Sequence, residues 1–440
     1  MRVSHILLLN DTLAMILLKD DSKLSALMLN ILVNAYAVSP AWGSEPGMGW
    51  NWIVNLARYN RLDVITEGEW RDEIEAALAG LPHRDNLTFH YLPVSDSVRR
   101  MCWNQGDWRF YGHYRKWQRR ALETARGIMA AKRIDVLHQL NMIGFREPGY
   151  LWKIAGVPLV WGPVGGMGNI PVAYLADAPL KHRAFSMIKN CINRLQYTMQ
   201  PRVRKMIGRS DVIVSAVSDV QRVLADRYGK ISPLINETGT SGDGGAGEVK
   251  KASSGALKVI WVGKFDFRKQ LPLALKSIAA MDSRDVEFHI CGTASPQVVA
   301  GMKALAGSLG IGELCVWHGV VPHDRILQLM SDCDLMFFTS IMDATSTVVL
   351  EALSVDLPVL CLDTCGYGPI VRDFGSIAVP LTDTDTSVRD FAGILSALAR
   401  DKQPLDDMSR RIHSRKHELS WDSKACRMTE IYRSLAGRSE

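Results

Sequence analysis

One polar segment of the chain combines residue types that bind anions and hydroxyl groups. It runs from Asp343 to Glu351, after the apolar strand candidate Leu335–Phe338, and it contains three consecutive hydroxyl residues: Thr345, Ser346 and Thr347. Such residues favour the N-cap of a helix, and the free amides of a helix start suit a phosphate. Glu351 falls among apolar residues, where a carboxylate is costly without a partner. A pair of sugar hydroxyls would satisfy it, and the alternative is a Glu351 that simply faces water.

A second polar segment follows another strand candidate and is rich in cations. Gly263 permits a tight exit from the apolar run Leu257–Val262. Three cations come next: Lys264, Arg268 and Lys269. Cations placed at a loop between a strand and a helix would neutralise a diphosphate. The alternative is a solvated basic turn.

Two glycine-rich segments follow strand candidates in the first half of the chain. The first contains Gly43, Gly47 and Gly49 and leads into a predicted helix at Trp50–Trp52. Glycines there would let a ligand approach the backbone closely. Because the segment does not match G-x-G-x-x-G, it is weak evidence for a dinucleotide site. The second segment, Trp161–Gly168, would shape the floor of a cleft or form only a tight turn.

The elements that must position these segments are short apolar strands that alternate with helices. In the first half we predict strands at Ile31–Ala35, Leu62–Thr66, Leu87–Tyr91, Asp135–His138, Pro158–Trp161 and Asp211–Ser215, with helices at Asn51–Arg58 and Trp117–Lys132. In the second half we predict strands at Leu257–Val262, Val286–Ile290, Leu314–Trp317, Leu335–Phe338 and Pro358–Leu362, with helices at Leu271–Met281, Gln297–Leu309, Asp324–Ser331 and Val348–Leu353. This βαβ alternation predicts parallel sheets covered by helices.

The chain of 440 residues suits two domains of ordinary size. The Gly-rich segment 236–255 interrupts the alternation and predicts a flexible linker or exposed loop. We therefore divide the chain into an N-terminal extension at 1–27 (with Met28 as an alternative start), an N-terminal Rossmann-like domain at 28–235, the linker at 236–255, a C-terminal domain at 256–420 and a final helix at 421–440. Ligands of doubly wound sheets bind beyond the carboxyl ends of the strands, so we expect the site in a cleft between the domains.

The composition is that of a soluble globular protein, with 47% hydrophobic and 22% charged residues. The opening apolar stretch is interrupted by Asp11 and lacks a small-residue cleavage site, so a secretory signal is not expected. The eight cysteines are scattered without a Cys-x-x-Cys pair, which indicates neither a zinc site nor a disulfide framework. A reducing cytoplasm is the expected compartment.

The positive charge of the chain is concentrated in its first half. Residues 28–235 hold 27 Lys and Arg against 17 Asp and Glu, a balance of +10, whereas residues 236–440 hold 22 against 26, a balance of −4. This asymmetry predicts an acidic partner: an anionic membrane surface, a phosphate-bearing acceptor or nucleic acid. Nucleic acid is disfavoured because no recognition motif accompanies the charge.

Two segments of the first half are candidates for membrane contact. Residues 99–120 mix cations with aromatic side chains, and a second basic stretch runs from Lys181 to Arg209. Basic, aromatic-rich segments suit the headgroup layer of a membrane. The alternative is that the aromatic residues pack in a core or against the other domain.

These segments together resemble a known family. The second half is similar to the donor domain of the GT-B glycosyltransferases, in particular the retaining family four, or glycosyl transferases group 1. The family pattern of a strand, Gly-Arg/Lys-x4-Lys-Gly and then Glu-x7-Glu corresponds here to Gly263-Lys264, Lys269-Gln270 and Asp343-x7-Glu351. Ser420-Trp421 begins a C-terminal helix, which in the family crosses back to the first domain. The resemblance covers residues 31–440 and is looser in the first half.

The resemblance implies a fold and a set of site residues. The fold would be α/β, with two Rossmann-like doubly wound domains facing across a cleft. Lys264 and Lys269 would neutralise the donor diphosphate, Glu351 would bind the ribose hydroxyls, and Asp343 would face the transferred sugar. Thr345, Ser346 and Thr347 would offer amides or hydroxyls to the phosphates, beside Gly263. The loop with Gly43, Gly47 and Gly49 would line the cleft from the acceptor side, and His138 would complete the catalytic candidates.

The sequence departs from the family pattern at several of these positions. Asp343 stands where Glu is usual, and Lys264 stands where Arg is commoner, which loses bidentate phosphate contact. Gln270 and Asp356 occupy positions that are usually Gly. Only His138 remains of the family's His-x-His, and the alternative role for His138 is that of a satisfied histidine at a strand end.

The predicted function is that of a retaining hexosyltransferase. It would move a sugar from a UDP- or GDP-linked donor to a glycan or lipid-linked acceptor, in cell-surface polysaccharide or glycolipid synthesis. It would be cytoplasmic, peripheral on the inner face of the membrane, and would need no metal or other cofactor. Two alternatives remain open: a non-catalytic relative that binds nucleotide or glycan as a scaffold, and a nucleotide-sugar epimerase.

Overall fold

The computed structural model describes residues 28–104, 107–175, 180–241 and 248–437. Within these ranges the chain forms two six-stranded parallel sheets, each flanked by helices. The predicted fold class, α/β with two doubly wound domains, is confirmed. The predicted extension at residues 1–27 lies outside the described residues. None of the helices in the described ranges has the length and apolar character needed to span a bilayer.

The first sheet has the strand order β3-β2-β1-β4-β5-β6. Its strands are β1 (Asn30–Ala35), β2 (Arg61–Thr66), β3 (Leu87–Tyr91), β4 (Val136–Asn141), β5 (Leu159–Val164) and β6 (Val212–Ser215). The accompanying helices are α1 (Ser44–Leu56), α2 (Arg71–Leu78), α3 (Asp96–Trp103), α4 (Phe110–Ala131), α5 (Leu180–Met199), α6 (Pro201–Arg209) and α7 (Ser218–Tyr228). Strand β5 is buried along its whole length, which explains its nearly continuous apolar run.

The second sheet repeats this topology, with the order β12-β11-β10-β7-β8-β9. Its strands are β7 (Leu257–Val262), β8 (Val286–Cys291), β9 (Cys315–Gly319), β10 (Leu335–Phe338), β11 (Val359–Leu362) and β12 (Ile377–Val379). Its helices are α8 (Leu271–Ala279), α9 (Pro296–Ser308), α10 (His323–Asp332), α11 (Thr347–Ser354), α12 (Tyr367–Asp373), α13 (Thr384–Arg400) and α14 (Gln403–Arg415), followed by α15 (Trp421–Ala436). In each sheet the strand order reverses between the first and fourth strands, where ligands of such folds bind.

Helix α1 begins earlier than the sequence indicated. It starts at Ser44 rather than near Trp50, so that Gly47 and Gly49 lie inside the helix. A Cβ atom on Gly47 would lie 2.1 Å from the carbonyl oxygen of Trp42, and one on Gly49 would lie 2.5 Å from that of Ala37. These two glycines therefore allow close packing of the backbone, a reason that differs from the predicted approach of a ligand.

The final helix α15 packs on the first domain. The indole of Trp421 meets that of Trp52 edge to face, with ring centroids 5.9 Å apart. Along the same contact, Tyr59 Oη donates to Asp422 Oδ1 at 2.7 Å. The chain thus passes from the second domain back to the first domain in the turn that precedes α15.

The predicted linker is corrected at its first residues. Asn236 and Glu237 are buried, and the Asn236 amide donates to the carbonyl oxygens of Ala216 and Gly366, at 2.8 and 3.1 Å. Thr240 then pairs with the segment that leads into α15, because its N–H donates to Leu419 O at 3.0 Å and its carbonyl accepts from Trp421 N at 3.2 Å. Residues 236–240 are therefore buried or partly buried and hydrogen-bonded, rather than the exposed loop that was predicted. Residues 242–247 lie outside the described residues.

The aromatic segment 99–120 divides into a core part and a surface part. Phe110, Tyr114 and Trp117 are buried and surround Tyr36, with ring centroids 4.9 to 5.8 Å away. For these residues the core alternative holds. The exposed aromatic residues of the segment are Trp103, Trp108 and Tyr111.

Candidate active site

The two polar loops of the second domain meet because their strands are neighbours. The loop after β7 carries Lys264–Lys269, and the loop after β10 carries Asp343. Backbone and side-chain bonds join the two loops: Ile341 N donates to Arg268 O at 2.9 Å, and Thr339 Oγ1 donates to Lys269 O, also at 2.9 Å. The site therefore lies at the point where the strand order reverses, on two loops that support each other.

Lys269 and Asp343 form the ion pair of this site. Lys269 Nζ lies 2.5 Å from Asp343 Oδ2 and 4.6 Å from the centre of the Phe338 ring. Both side chains are partly exposed, at 15% and 21%. Two predicted site residues, 74 positions apart in the sequence, are thus brought together.

Lys264 and Arg268 are placed differently from Lys269. Lys264 is exposed and forms no ion pair with any residue that the structure describes. Arg268 pairs with Asp266 at 2.8 Å, which holds its guanidinium on its own loop. Of the three cations in the loop, Lys269 is therefore the one that contacts Asp343.

Gly263 leaves room for the stem of Lys269. A Cβ atom at Gly263 would lie 3.2 Å from the ring of Trp261 and 3.4 Å from Lys269 Cγ. Its backbone N–H donates to Cys291 O at 3.0 Å, so the strand exit remains tied to β8. The glycine thus positions the lysine indirectly.

The start of helix α11 already holds a carboxylate. Thr345 N donates to Glu237 Oε1 and Thr345 Oγ1 donates to Glu237 Oε2, each at 2.7 Å. The prediction that Thr345 offers these donors to a phosphate is therefore corrected, because Glu237 occupies them. Ser346 is the buried N-cap residue and its side chain makes no capping bond, while Thr347 is exposed.

Glu351 has a partner that the sequence did not indicate. Its side chain is 23% exposed, and Oε1 lies 3.2 Å from Nε2 of His323, at the start of α10. The expectation of a carboxylate enclosed by apolar residues is corrected accordingly. Glu351 is therefore partly exposed to solvent and has His323 as its neighbour.

A cavity of about 610 Å³ lies between the domains beside this helix start. The first domain contributes Gly43, Glu45 and Gly47 to its lining, and the second domain contributes Thr345. The two segments that connect the domains, which we call the crossings, contribute Glu237 and Trp421. Gly43 and Gly47 thus lie at the cavity wall. Gly49 instead packs against Ala37.

The ionisable groups at this cavity are shifted toward their neutral forms. Burial raises the pKa of Glu45 to about 7, and the nearby Glu237 carboxylate raises it further. The hydrogen bond that Ile143 N donates to Glu45 Oε1, at 2.5 Å, acts in the opposite direction. Burial also raises the pKa of Glu237 and lowers that of Lys424 to about 7. Lys424 Nζ donates to Thr238 O at 2.5 Å, behind the cavity wall.

Sequence reasoning did not identify Glu237 or Lys424. Glu237 lay in a Gly-rich stretch that predicted a linker, and Lys424 lies in a helix three residues after Trp421. Glu45 carried a weak signal, since an acidic residue in the first turn of a helix beside glycines suits a cleft. The positions of Glu237 and Lys424 depend on where the segments that connect the domains fold back, which no local sequence pattern encodes.

His138 is enclosed in the first domain. Its Nε2 lies 2.6 Å from Gly162 O and its Nδ1 lies 2.6 Å from Tyr432 Oη. Because a carbonyl only accepts, Nε2 carries the proton and Tyr432 donates to Nδ1. Burial lowers the pKa of His138 to about 4, so the ring is neutral. These surroundings favour the structural alternative for His138 over the catalytic one.

The two residues that stand at usual glycine positions both have a left-handed backbone. The φ angle is 53° at Gln270 and 59° at Asp356, a region that favours glycine. Gln270 Nε2 donates to Phe267 O at 2.8 Å, and the Asp356 carboxylate pairs with His413 and Lys416 at 2.8 and 2.9 Å. Side-chain bonds thus offset part of the backbone strain.

Comparison with known proteins agrees with this geometry. Residues 248–414 match the family described as glycosyl transferases group 1. The chain is 24% identical over 316 residues to a D-inositol 3-phosphate glycosyltransferase of Rhodococcus erythropolis, covering 66% of this chain and 69% of that one. It is 25% identical over 245 residues to the protein of the same description from Nocardia farcinica, covering 52% and 54%.

Solved structures show the same fold. The Anabaena protein HepE in complex with UDP aligns with a TM-score of 0.56 at 13% identity, covering 92% of this chain and all of HepE (100%). Sucrose-phosphate synthase from Thermosynechococcus elongatus aligns with a TM-score of 0.55 at 14% identity, covering 93% and 100%. The chain therefore has the GT-B fold of these glycosyltransferases, and residues 248–414, in its second domain, carry the match to the group 1 family.

Proposed function

We propose that this protein is a retaining glycosyltransferase that moves a hexose from a UDP- or GDP-sugar to a glycan or lipid-linked acceptor. The observation that carries the proposal is the Lys269–Asp343 pair, held at the strand-order reversal of the second sheet. The complex of HepE with UDP supports a nucleotide-sugar donor. The proposal places the reaction in cell-surface polysaccharide or glycolipid synthesis, at the cytoplasmic face of a membrane, and it invokes no metal or other cofactor.

The chemistry requires that negative charge be stabilised on the leaving diphosphate. The bond between the sugar's anomeric carbon and the phosphate oxygen breaks, and a bond to the acceptor oxygen forms on the same face of the sugar. The acceptor proton passes to the leaving phosphate. Lys264 and Lys269 supply cations at the loop after β7, and preorganised charge of this kind is the main source of rate enhancement in such sites.

Lys269 would exchange partners when the donor binds. Its ammonium group now contacts Asp343 Oδ2 at 2.5 Å, and the diphosphate would compete for it. The Asp343 carboxylate would then face the transferred sugar, where it orients a hydroxyl group. Glu351 would make a similar exchange, from His323 to the ribose hydroxyls.

Substitution of the two signature residues tests this assignment. We expect Lys269→Ala to lower kcat about 100-fold or more, as for loss of one charge-stabilising donor. Glu351→Gln should raise the Kd for UDP while the fold is retained. The matched controls are Lys251→Ala and Glu313→Gln, two exposed residues of the same domain. Unchanged transfer and UDP binding in both site variants would contradict the assignment.

One observation favours a second function, that of a non-catalytic nucleotide- or glycan-binding scaffold. Glu237 occupies both donors of Thr345 at the helix start, where a phosphate would otherwise bind. Calorimetric titration with UDP, GDP and their sugars separates the two functions. Binding without turnover across a broad acceptor panel would support the scaffold, and an epimerised sugar formed without acceptor would identify an epimerase.

A further inference from the structure

Helix α5 carries most of its side chains into solvent, apolar ones included. Of its 20 residues, Ser186, Asn193 and Tyr197 are buried. Seven large apolar residues are between 48% and 79% exposed: Leu180, Phe185, Met187, Ile188, Ile192, Leu195 and Met199. An exposed apolar surface of this size on one helix indicates a site of interaction.

Five of these residues form a continuous stripe. Phe185, Ile188, Ile192, Leu195 and Met199 follow each other at intervals of three and four positions, which places them on one face of the helix. We refer to these five residues as the α5 stripe.

The buried side of α5 fixes the direction of the stripe. Asn193 Nδ2 donates to the carbonyl oxygens of Met167 and Gly168, at 3.1 and 3.0 Å. Asn190 exchanges two hydrogen bonds with the backbone of Ile170, at 2.8 and 2.9 Å. The helix is therefore anchored through its asparagines on the segment after β5, and the α5 stripe faces outward.

The charged residues of the segment that carries the stripe are all cations. Residues 180–209 contain eight Lys and Arg and no Asp or Glu. Four of these cations lie on α5 itself and are exposed: Lys181, Arg183, Lys189 and Arg194. An apolar helix face flanked by cations is complementary to a bilayer whose headgroups are anionic.

An aromatic residue of the neighbouring helix extends this surface. Tyr111, near the start of α4, lines a groove of about 440 Å³ together with Ile192, Leu195 and Met199. Trp108 precedes Tyr111 by three residues and is 78% exposed. Exposed Trp and Tyr residues suit the interface between headgroups and acyl chains.

The same helix touches the candidate active site. The ring of His182 lies edge-on to that of Phe267, with centroids 4.9 Å apart, and Phe267 belongs to the loop between Lys264 and Lys269. Any surface that α5 binds is therefore adjacent to the loop Lys264–Lys269.

We propose that the α5 stripe docks on an anionic phospholipid bilayer and brings a lipid-linked acceptor to the cleft. The docking rests on the helix itself, whereas the delivery of an acceptor rests on the proposed function. A lipid-linked acceptor diffuses in the plane of the membrane, so an enzyme held there by α5 meets it without leaving the surface.

Vesicle co-sedimentation of the full chain tests the docking. We expect binding to vesicles of phosphatidylcholine with phosphatidylglycerol and weak binding to phosphatidylcholine alone. The double variant Ile188→Ser/Ile192→Ser should lower the affinity at least about tenfold, because two apolar side chains no longer enter the interface. The matched control is Ile231→Ser/Val320→Ser, which removes two exposed apolar side chains elsewhere. Equal binding of both double variants would overturn the proposal.

The cations provide a second measurement. Lys189→Gln and Arg194→Gln should each weaken binding to the anionic vesicles about fivefold, and less at high salt. Lys251→Gln is the control, since Lys251 is exposed in the other domain. No loss in either α5 variant would count against an anionic bilayer as the occupant.

Two further readouts separate this proposal from the others. If sedimentation velocity shows a dimer that Ile188→Ser/Ile192→Ser converts to a monomer, and vesicles do not bind, α5 joins two copies of the chain and the docking is refuted. Calorimetry with UDP reports on the donor site alone. Vesicle binding without UDP binding would overturn the proposed function and leave the docking supported, and the reverse result would do the opposite.

Discussion

Glu237 and Lys424, an acidic and a basic side chain, lie in the same buried region beside the interdomain cavity. The pKa of Glu237 is raised and that of Lys424 lowered, in each case chiefly by burial, and each group partly offsets the shift of the other. Removing a charge from water costs more than a single partner returns. We therefore expect Lys424 to lose its proton near pH 7 in the folded protein, which makes the free energy of unfolding depend on pH.

The lysine gives a pH dependence with a definite sign. Between pH 7 and 10 the unfolded chain holds the Lys424 proton and the folded chain does not, because the pKa is lowered from 10.5 to about 7. The stability of the native protein should therefore rise with pH in this window, by up to about 1.4 kcal/mol per pH unit, and fall as the pH returns to 7. Lys424→Met should remove this rise.

Urea unfolding across this pH window measures the effect. Lys251→Met is the control, because Lys251 is exposed and should leave the slope unchanged. Parallel pH profiles for the native protein and Lys424→Met would show that Lys424 keeps its proton in the folded state.

Part of the candidate site could be predicted at the level of residues. Lys269 and Asp343 follow apolar strands, so their meeting could be expected once the two strands were assigned to one parallel sheet. The bond from Thr345 to Glu237 could not, because it depends on a crossing that folds back between domains. The partner of Glu351 was missed because His323 is 28 positions away, on another helix of the same domain.

At the scale of elements, α15 completes the core of the first domain. Tyr432 donates to Nδ1 of His138, a side chain of β4 with no exposure to solvent. The last helix of the chain therefore satisfies a buried polar group in the centre of the first sheet.

Removal of that hydroxyl group should destabilise the first domain. In Tyr432→Phe the buried Nδ1 atom of His138 loses its donor, which should cost about 1–3 kcal/mol in the free energy of unfolding. Tyr111→Phe, at an exposed position, should change it by less than about 0.5 kcal/mol. The measurement is denaturant unfolding, and equal stability of the two variants would contradict the assigned bond.

Elements with a buried apolar face were predicted more accurately than those without one. Strands β7 and β10 have the predicted bounds because their apolar runs are buried in a parallel sheet. The edge strand β3 also has the predicted bounds, although its residues are only partly buried or exposed. The start of α1 was missed because Gly and Pro predict a loop, whereas close packing against Trp42 and Ala37 requires glycines within the helix. Helix α5 was not predicted, although its apolar residues recur at intervals of three and four positions.

At the scale of the whole molecule, we expect the proposed donor nucleotide to raise the free energy of unfolding of the two-domain fold. A ligand that binds only the native state should stabilise it by RT ln(1 + [L]/Kd), which is about 2.7 kcal/mol at 100 times Kd. We expect UDP or GDP, compared with ADP as a control nucleotide, to raise the Tm, and Lys269→Ala to reduce this increase. Thermal melts with each nucleotide measure it, and equal shifts from all three would indicate nonspecific binding.

The two crossings between the domains have a mechanical consequence. Thr240 on the outward crossing and Ser420 on the return crossing are bridged like adjacent β-strands, so both passages share one place. Two passages at one place permit a rotation of one domain against the other there. Such a rotation would change the side-chain contacts made across the cleft, among them the ring contact of His182 with Phe267.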